Sequence, residues 1–208
     1  MPITTRQAKL AHARIAMLIG LFLVVHFAAH FSALFGIEAH AQALTIGRAG
    51  YQFPLIEVAL VATLGLQVIL GIGLLRQINA RKHKGLWHWV QFLSGCYLAI
   101  FIVMHTSAAL ITRLGFGLDT NFYWAAGTVT IDPIRYGFAP YYTLAITALF
   151  GHLIAALHYR RPARWHTPSL ILGPVTGILI VMGYNGTFHT FELPTEHLEY
   201  FAAFPGVR

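Results

Sequence analysis

Residues 15–37 read IAMLIGLFLVVHFAAHFSALFGI, twenty-three positions without an acidic or basic side chain other than two histidines. A helix rises about 1.5 Å per residue and a hydrocarbon core is about 30 Å thick, so roughly twenty apolar residues cross it. This stretch is long enough to span. It is too long for the apolar region of a removable signal peptide and lacks a small-residue cleavage site, so it is read as a retained span. Four further predominantly apolar stretches follow at 54–75, 87–112, 138–159 and 168–184. The last holds Pro174 and is expected to be kinked, tilted or partly re-entrant. The expected fold is all-α: an integral membrane bundle of five transmembrane helices, one domain over 1–208, with an outer-side tail over 185–208.

Composition agrees. The chain has 208 residues, 57% of them hydrophobic, and only 14 basic and 7 acidic side chains. A soluble domain carries about a quarter charged residues, roughly fifty at this length. A soluble cytosolic enzyme is thereby excluded, as is disorder, which needs low hydrophobicity and high charge. Cys96 is the single cysteine, so no intrachain disulfide forms.

The positions of the charges give a topology. Arg6, Lys9 and Arg14 precede the first span; Arg76, Arg81, Lys82 and Lys84 lie between the second and third; Arg160, Arg161 and Arg164 lie between the fourth and fifth. That side holds ten basic residues and no acidic one. The other side holds Arg48, Arg113, Arg135 and Arg208 together with the acidic residues, Glu57 lying just inside the second span. Loops rich in Lys and Arg stay in the cytoplasm, which predicts a cytoplasmic N-terminus and an outside C-terminus. The net charge of +7 therefore marks a membrane face rather than a nucleic-acid site. On the outer side, 114–137 reads as an aromatic-rich connection at the interface. Residues 194–204 read as a short interfacial helix offering Leu198, Phe201 and Phe204 to lipid.

Twelve histidines are many for so apolar a chain. Eight, including His12, His40, His88, His158 and His166, fall in tails, loops or span ends. Four fall inside the hydrocarbon region: His26 and His30 in the first span, His105 in the third and His152 in the fourth. Ionisable residues at membrane depth are costly and face a bundle interior, so these four are the functional candidates. Imidazoles are axial ligands of haem iron, and a bundle interior suits an apolar disc. Counted from the outer ends, His105 lies about 10 Å deep, His30 about 9 Å and His26 about 15 Å, whereas His152 lies about 10 Å from the inner surface. The first and third spans can share an outer haem, with His26 and His30 tied as its ligand, and His152 is on another level.

The segment Gly20-Leu-Phe-Leu-Val-Val-His26, preceded by His12-Ala-Arg14, and the segment Gln91-Phe-Leu-Ser94-Gly95, followed by Leu98, Phe101 and His105, carry a resemblance. Over residues 10–160 the chain resembles the five-helix cytochrome b membrane anchor of the succinate dehydrogenase and fumarate reductase family. The resemblance implies haem b with His26 and His105 as axial ligands in the outer half, His30 lining the pocket, and Ser94 and Gly95 on the haem-facing stripe. It implies an inner haem held by His152 and a histidine of the second span, but Gln67 stands at that position. One haem is therefore expected. The inner haem is either absent, with Gln67 and His152 hydrogen-bonded across the bundle, or five-coordinate.

The implied function is electron transfer between a peripheral oxidoreductase and membrane quinone, the chain being at most a non-catalytic subunit. Flavoprotein and iron–sulfur subunits would dock on the cytoplasmic face of a bacterial inner membrane, and Arg76, Trp87, His88 and Trp89 could line a quinone head-group site. Two other readings remain: a haem-free membrane anchor for partner subunits, and a His-lined metal transporter built on His26, His30 and His105.

Overall fold

The computed structural model describes residues 4–80 and 84–207; Arg81, Lys82, His83 and Arg208, among the charges and histidines read above, lie outside them. The first helix, α1 (Thr5–Ser32), starts ten residues ahead of the apolar run. Its start is fixed by a reciprocal cap: Thr4 Oγ1 accepts from the Gln7 N–H at 3.3 Å, and Gln7 Oε1 accepts from the Thr4 N–H at 2.8 Å. Such a box satisfies two of the donors that a helix start leaves open. A tighter turn over Ala33–Phe35 ends α1 at Gly36, whose φ of 122° suits glycine.

The chain then forms α2 (Ile37–Tyr51), a helix where the hydropathy pattern marks only a connection between spans. It folds back on α1 where Gly47 approaches Val25: a Cβ on Gly47 would stand 3.0 Å from the Val25 side chain. The remaining long helices are α3 (Pro54–Asn79), α4 (Leu86–Leu110) and α6 (Arg135–Arg160). Between α4 and α6, a wide turn in which the Phe116 N–H reaches the Ile111 carbonyl leads to the short α5 (Phe122–Thr130), capped by Asn121. The fifth apolar segment breaks into one turn, α7 (His166–Ser169), and α8 (Leu172–Tyr184). Pro174 sits in the first turn of α8, where its missing N–H is tolerated and its ring discourages continuation from α7. A last helix, α9 (Thr195–Ala202), closes the chain.

Among the described residues, five helical segments are long and apolar enough to cross a membrane: Thr5–Phe35, Pro54–Asn79, Leu86–Gly115, Arg135–Arg160 and His166–Tyr184. Their outward faces are apolar and uncovered; Leu21, Val24, Leu55, Val58, Ile69 and Ile100 are all more than 60% exposed. So much exposed apolar area would be anomalous in water and is ordinary against lipid.

The spans pack in the order α1, α3, α4, α6, α8. The α6–α8 contact is the closest. Gly173 and Gly177, spaced as in the small-xxx-small motif that brings membrane helices together, lie on the α6 backbone. A Cβ at Gly173 would stand 2.8 Å from Thr147 Cα, and one at Gly177 would stand 2.9 Å from Thr143 Cα.

Two outer segments depart from the sequence reading. In the 114–137 connection Phe116 and Tyr136 are exposed as expected, but Phe122, Trp124, Ala126 and Val129 of α5 are buried against the bundle rather than lying at an interface. In α9, Leu198 is exposed as expected, but Phe201 is fully buried and turned inward. Its ring occupies the space that any side chain at Gly127 would need. Covering Leu118 and Trp124 with that ring stabilises more than leaving it among lipid headgroups.

Candidate functional site

A continuous cavity of about 1060 Å³ runs through the bundle, from Lys9 and Arg160 at one end to Arg48 and Thr120 at the other. Ordinary small-molecule pockets occupy about 300–1,000 Å³. The four deep histidines, His26, His30, His105 and His152, all line it, and so do Gln67, Gly95, His12 and His40.

In the half of the cavity remote from Lys9 and Arg160, α1 and α4 bring His26 and His105 together. Their ring centroids are 6.1 Å apart with planes at 72°. Phe22 stacks on His26 at 5.1 Å, and Phe101 stacks on His105 at 5.0 Å, each from one turn earlier on the same helix. His30 is engaged at both ring nitrogens: Nδ1 lies 2.8 Å from the Tyr184 hydroxyl and Nε2 lies 3.1 Å from His26 Nε2. One imidazole thus faces across the bundle while its i+4 neighbour ties it to α8.

The pair can be tested against a metalloporphyrin. A metal–imidazole bond of about 2.0 Å on each side, with about 1.1 Å from nitrogen to ring centre, puts two axial imidazoles about 6 Å apart, centre to centre. The observed separation matches that span, and the apolar walls match the group. A bare ion fits less well, since among the described residues no group of three or more His, Cys, Asp or Glu is placed to hold one. Haem iron takes four of its ligands from the porphyrin and needs only the two histidines.

The mouth at the Arg48 end is polar. Arg48 pairs with Asp119 at 2.7 Å and bonds Thr120 Oγ1 at 3.1 Å, while Arg113 pairs with Glu57. Beside them His40 of α2 is 3% exposed, with its ring edge-on to Phe122 and Tyr184. Burial, reinforced by the Arg48 guanidinium, pushes the His40 pKa down to about 4.

The half of the cavity toward Lys9 and Arg160 differs from the expectation. Gln67 does not reach His152. Its side-chain nitrogen lies 3.1 Å from His12 Nε2, and His152 Nδ1 bonds Ser94 Oγ at 3.1 Å. Gly95 makes room for His152: a Cβ there would stand 3.3 Å from the imidazole Cε1. His12, read from the sequence as part of a tail, lies within α1 and faces the cavity. The signal that would have found it is its spacing from His26. Fourteen residues are nearly four turns, which places the two on neighbouring parts of one helix face.

Trp87, His88, Trp89 and Arg76 do not line this cavity. Trp87 instead stacks on His158 at 4.1 Å, and His158 Nδ1 meets His166 Nδ1 at 3.0 Å, forming a separate aromatic cluster at the inner end. Comparison with protein families, curated proteins and solved structures finds no match for the chain.

Proposed function

We propose that the protein is a membrane-anchoring cytochrome b subunit that holds haem b between His26 and His105 and links a peripheral oxidoreductase to membrane quinone. The 6.1 Å separation of those two imidazoles across an apolar cavity carries the reading. When bound, the haem supplies a one-electron redox couple. The residues of the chain position it. His26 and His105 would hold the iron; Phe22 and Phe101 hold the two rings against rotation; His30, itself fixed by Tyr184, sets the orientation of His26, as outer-shell partners of ligating histidines commonly do.

Orientation and partners belong to the same proposal. The sequence puts ten basic residues on the inner side, so flavoprotein and iron–sulfur subunits dock there, on the cytoplasmic face of a bacterial inner membrane. A reduced-minus-oxidised spectrum of detergent-purified protein is expected to show low-spin haem b, and His105→Ala to abolish it. Haem binding undiminished in His105→Ala would overturn the assignment.

One observation favours a haem-free anchor: His30 meets His26 and Tyr184, His152 meets Ser94, and His12 meets Gln67, so these half-buried rings find partners within the chain. Copurified pigment separates the two readings.

A further inference from the structure

We infer that a notch between the start of α6 and the end of α8 binds the headgroup of a phosphatidylethanolamine molecule from the surrounding bilayer. The inference rests on the membrane-spanning reading of the chain and is independent of the haem. The notch is a cavity of about 540 Å³ that shares the Val129 and Val181 side chains with the histidine-lined one. Its volume is that of an ordinary small-molecule site. Val129, Ala139 and Val181 give it an apolar wall; Thr130, Arg135 and Asn185 give it a polar one.

The polar wall offers both donors and acceptors. Arg135 is clamped in place: its Nε lies 2.7 Å from Asp132 Oδ1, its Nη2 donates to the Tyr136 hydroxyl at 2.9 Å, and its guanidinium stands 4.9 Å from the centre of that ring. Its Nη1 has no partner among the described residues. Asn185 accepts from the Thr187 N–H at 3.1 Å through Oδ1, which leaves the N–H groups of its Nδ2 open. Two such donors, one of them charged, suit a phosphate.

The acceptors come from a proline. Pro140 lies inside α6 and has no N–H, so the Tyr136 carbonyl four residues earlier is left without its helical partner. Both residues line the notch, which puts that carbonyl on its wall. The Asp132 carboxylate, 62% exposed, stands beside Arg135. A carbonyl and a carboxylate suit a primary ammonium, which has three N–H donors. The Arg135–Asp132 ion pair thus meets a headgroup that carries the same two charges in reverse. A trimethylammonium has no N–H to give, and a glycerol headgroup has no cation. The acyl chains find the uncovered apolar sides of the same helices, where Leu144 and Ile178 are half exposed.

The test uses the purified, delipidated chain with phosphatidylethanolamine, phosphatidylcholine and phosphatidylglycerol of identical acyl chains, and reads the first-bound lipid by native mass spectrometry. Phosphatidylethanolamine is expected to bind about tenfold more tightly than either of the others. Arg135→Gln should weaken all three by loss of the phosphate contact. Pro140→Ala returns an N–H to the Tyr136 carbonyl; it should erase the preference over phosphatidylcholine without lowering the detergent melt, so a folding defect is not the cause. Equal binding of the three lipids, no lipid bound, or a preference that both variants leave intact overturns the site. Flotation with vesicles of the same lipids separates the two levels of failure. A chain that enters vesicles but shows no preference overturns the notch alone, and one that stays out of them overturns the membrane reading as well.

Discussion

The Tyr184 hydroxyl lies 2.8 Å from His30 Nδ1, joining the end of α8 to the middle of α1 across 154 positions of sequence. Tyr184 is 3% exposed, so its hydroxyl has no water to fall back on, while His30 lines the cavity. Tyr184→Phe keeps the ring and strands the imidazole nitrogen, at a cost of about 1–3 kcal/mol. The melting temperature in detergent is expected to fall and, on the proposed haem reading, the haem between His26 and His105 to remain bound with a shifted midpoint. An unchanged melt and an unchanged midpoint together would show that the contact does nothing.

His26 and His30 are one turn apart, yet their substitutions should differ in kind. His26→Ala removes the imidazole that faces His105 and should abolish the outer haem signal. His30→Ala removes a neighbour and should weaken retention during purification without abolishing the low-spin spectrum. The reverse pattern would exchange their roles.

Gly177 leaves no room for a side chain against Thr143. Gly177→Leu forces α8 off α6 and should cost at least the 1–3 kcal/mol typical of overpacking. Gly65 is the control, since a Cβ there would meet nothing within 4 Å: Gly65→Ala should leave the detergent melt unchanged or slightly raised.

Under α9, Gly127→Ala drives a methyl group into the Phe201 ring and should expel that ring from its pocket. Limited proteolysis of the C-terminal segment reads the outcome, with faster cleavage expected. A double variant, Gly127→Ala with Phe201→Ala, should recover part of the protection, because the clash is then removed.

His40 gives a pH dependence. Its folded pKa of about 4 lies below the ordinary 6.5, so the unfolded chain binds the proton more tightly. Stability contributed at this site is complete above about 6.5, declines as pH falls toward 4 and is level below that, a change of up to about 3 kcal/mol. His40→Gln should flatten that part of the detergent-melt profile between pH 4 and 6.5. A profile identical to that of the unaltered protein would remove His40 as the cause.

The five apolar helices were legible because hydropathy alone selects them, and the cavity histidines were legible because ionisable groups at membrane depth are rare. What escaped were contacts set by helix starts and by folding back. The cap at Thr4 carries α1 over positions whose charges read as a tail, and this moved His12 from a tail to a facing position. The α2 and α5 helices are short, and a short helix owes its stability to packing more than to its own sequence. Phe201 read as lipid-facing because an amphipathic segment does not reveal which apolar surface will cover it. Gln67 was placed opposite His152 by analogy, whereas its neighbour is His12.

The closure between α8 and α1 also orders events during synthesis. Tyr184 belongs to the last of the five spans to emerge, and His30 belongs to the first. Until α8 has entered the membrane and seated its glycines on α6, His30 lacks its Tyr184 partner, and within α1 only its bond to His26 and the stacking of Phe22 on His26 are available. A nascent chain halted after α6 would already own both histidines of the facing pair, yet would lack the tether that aims one of them.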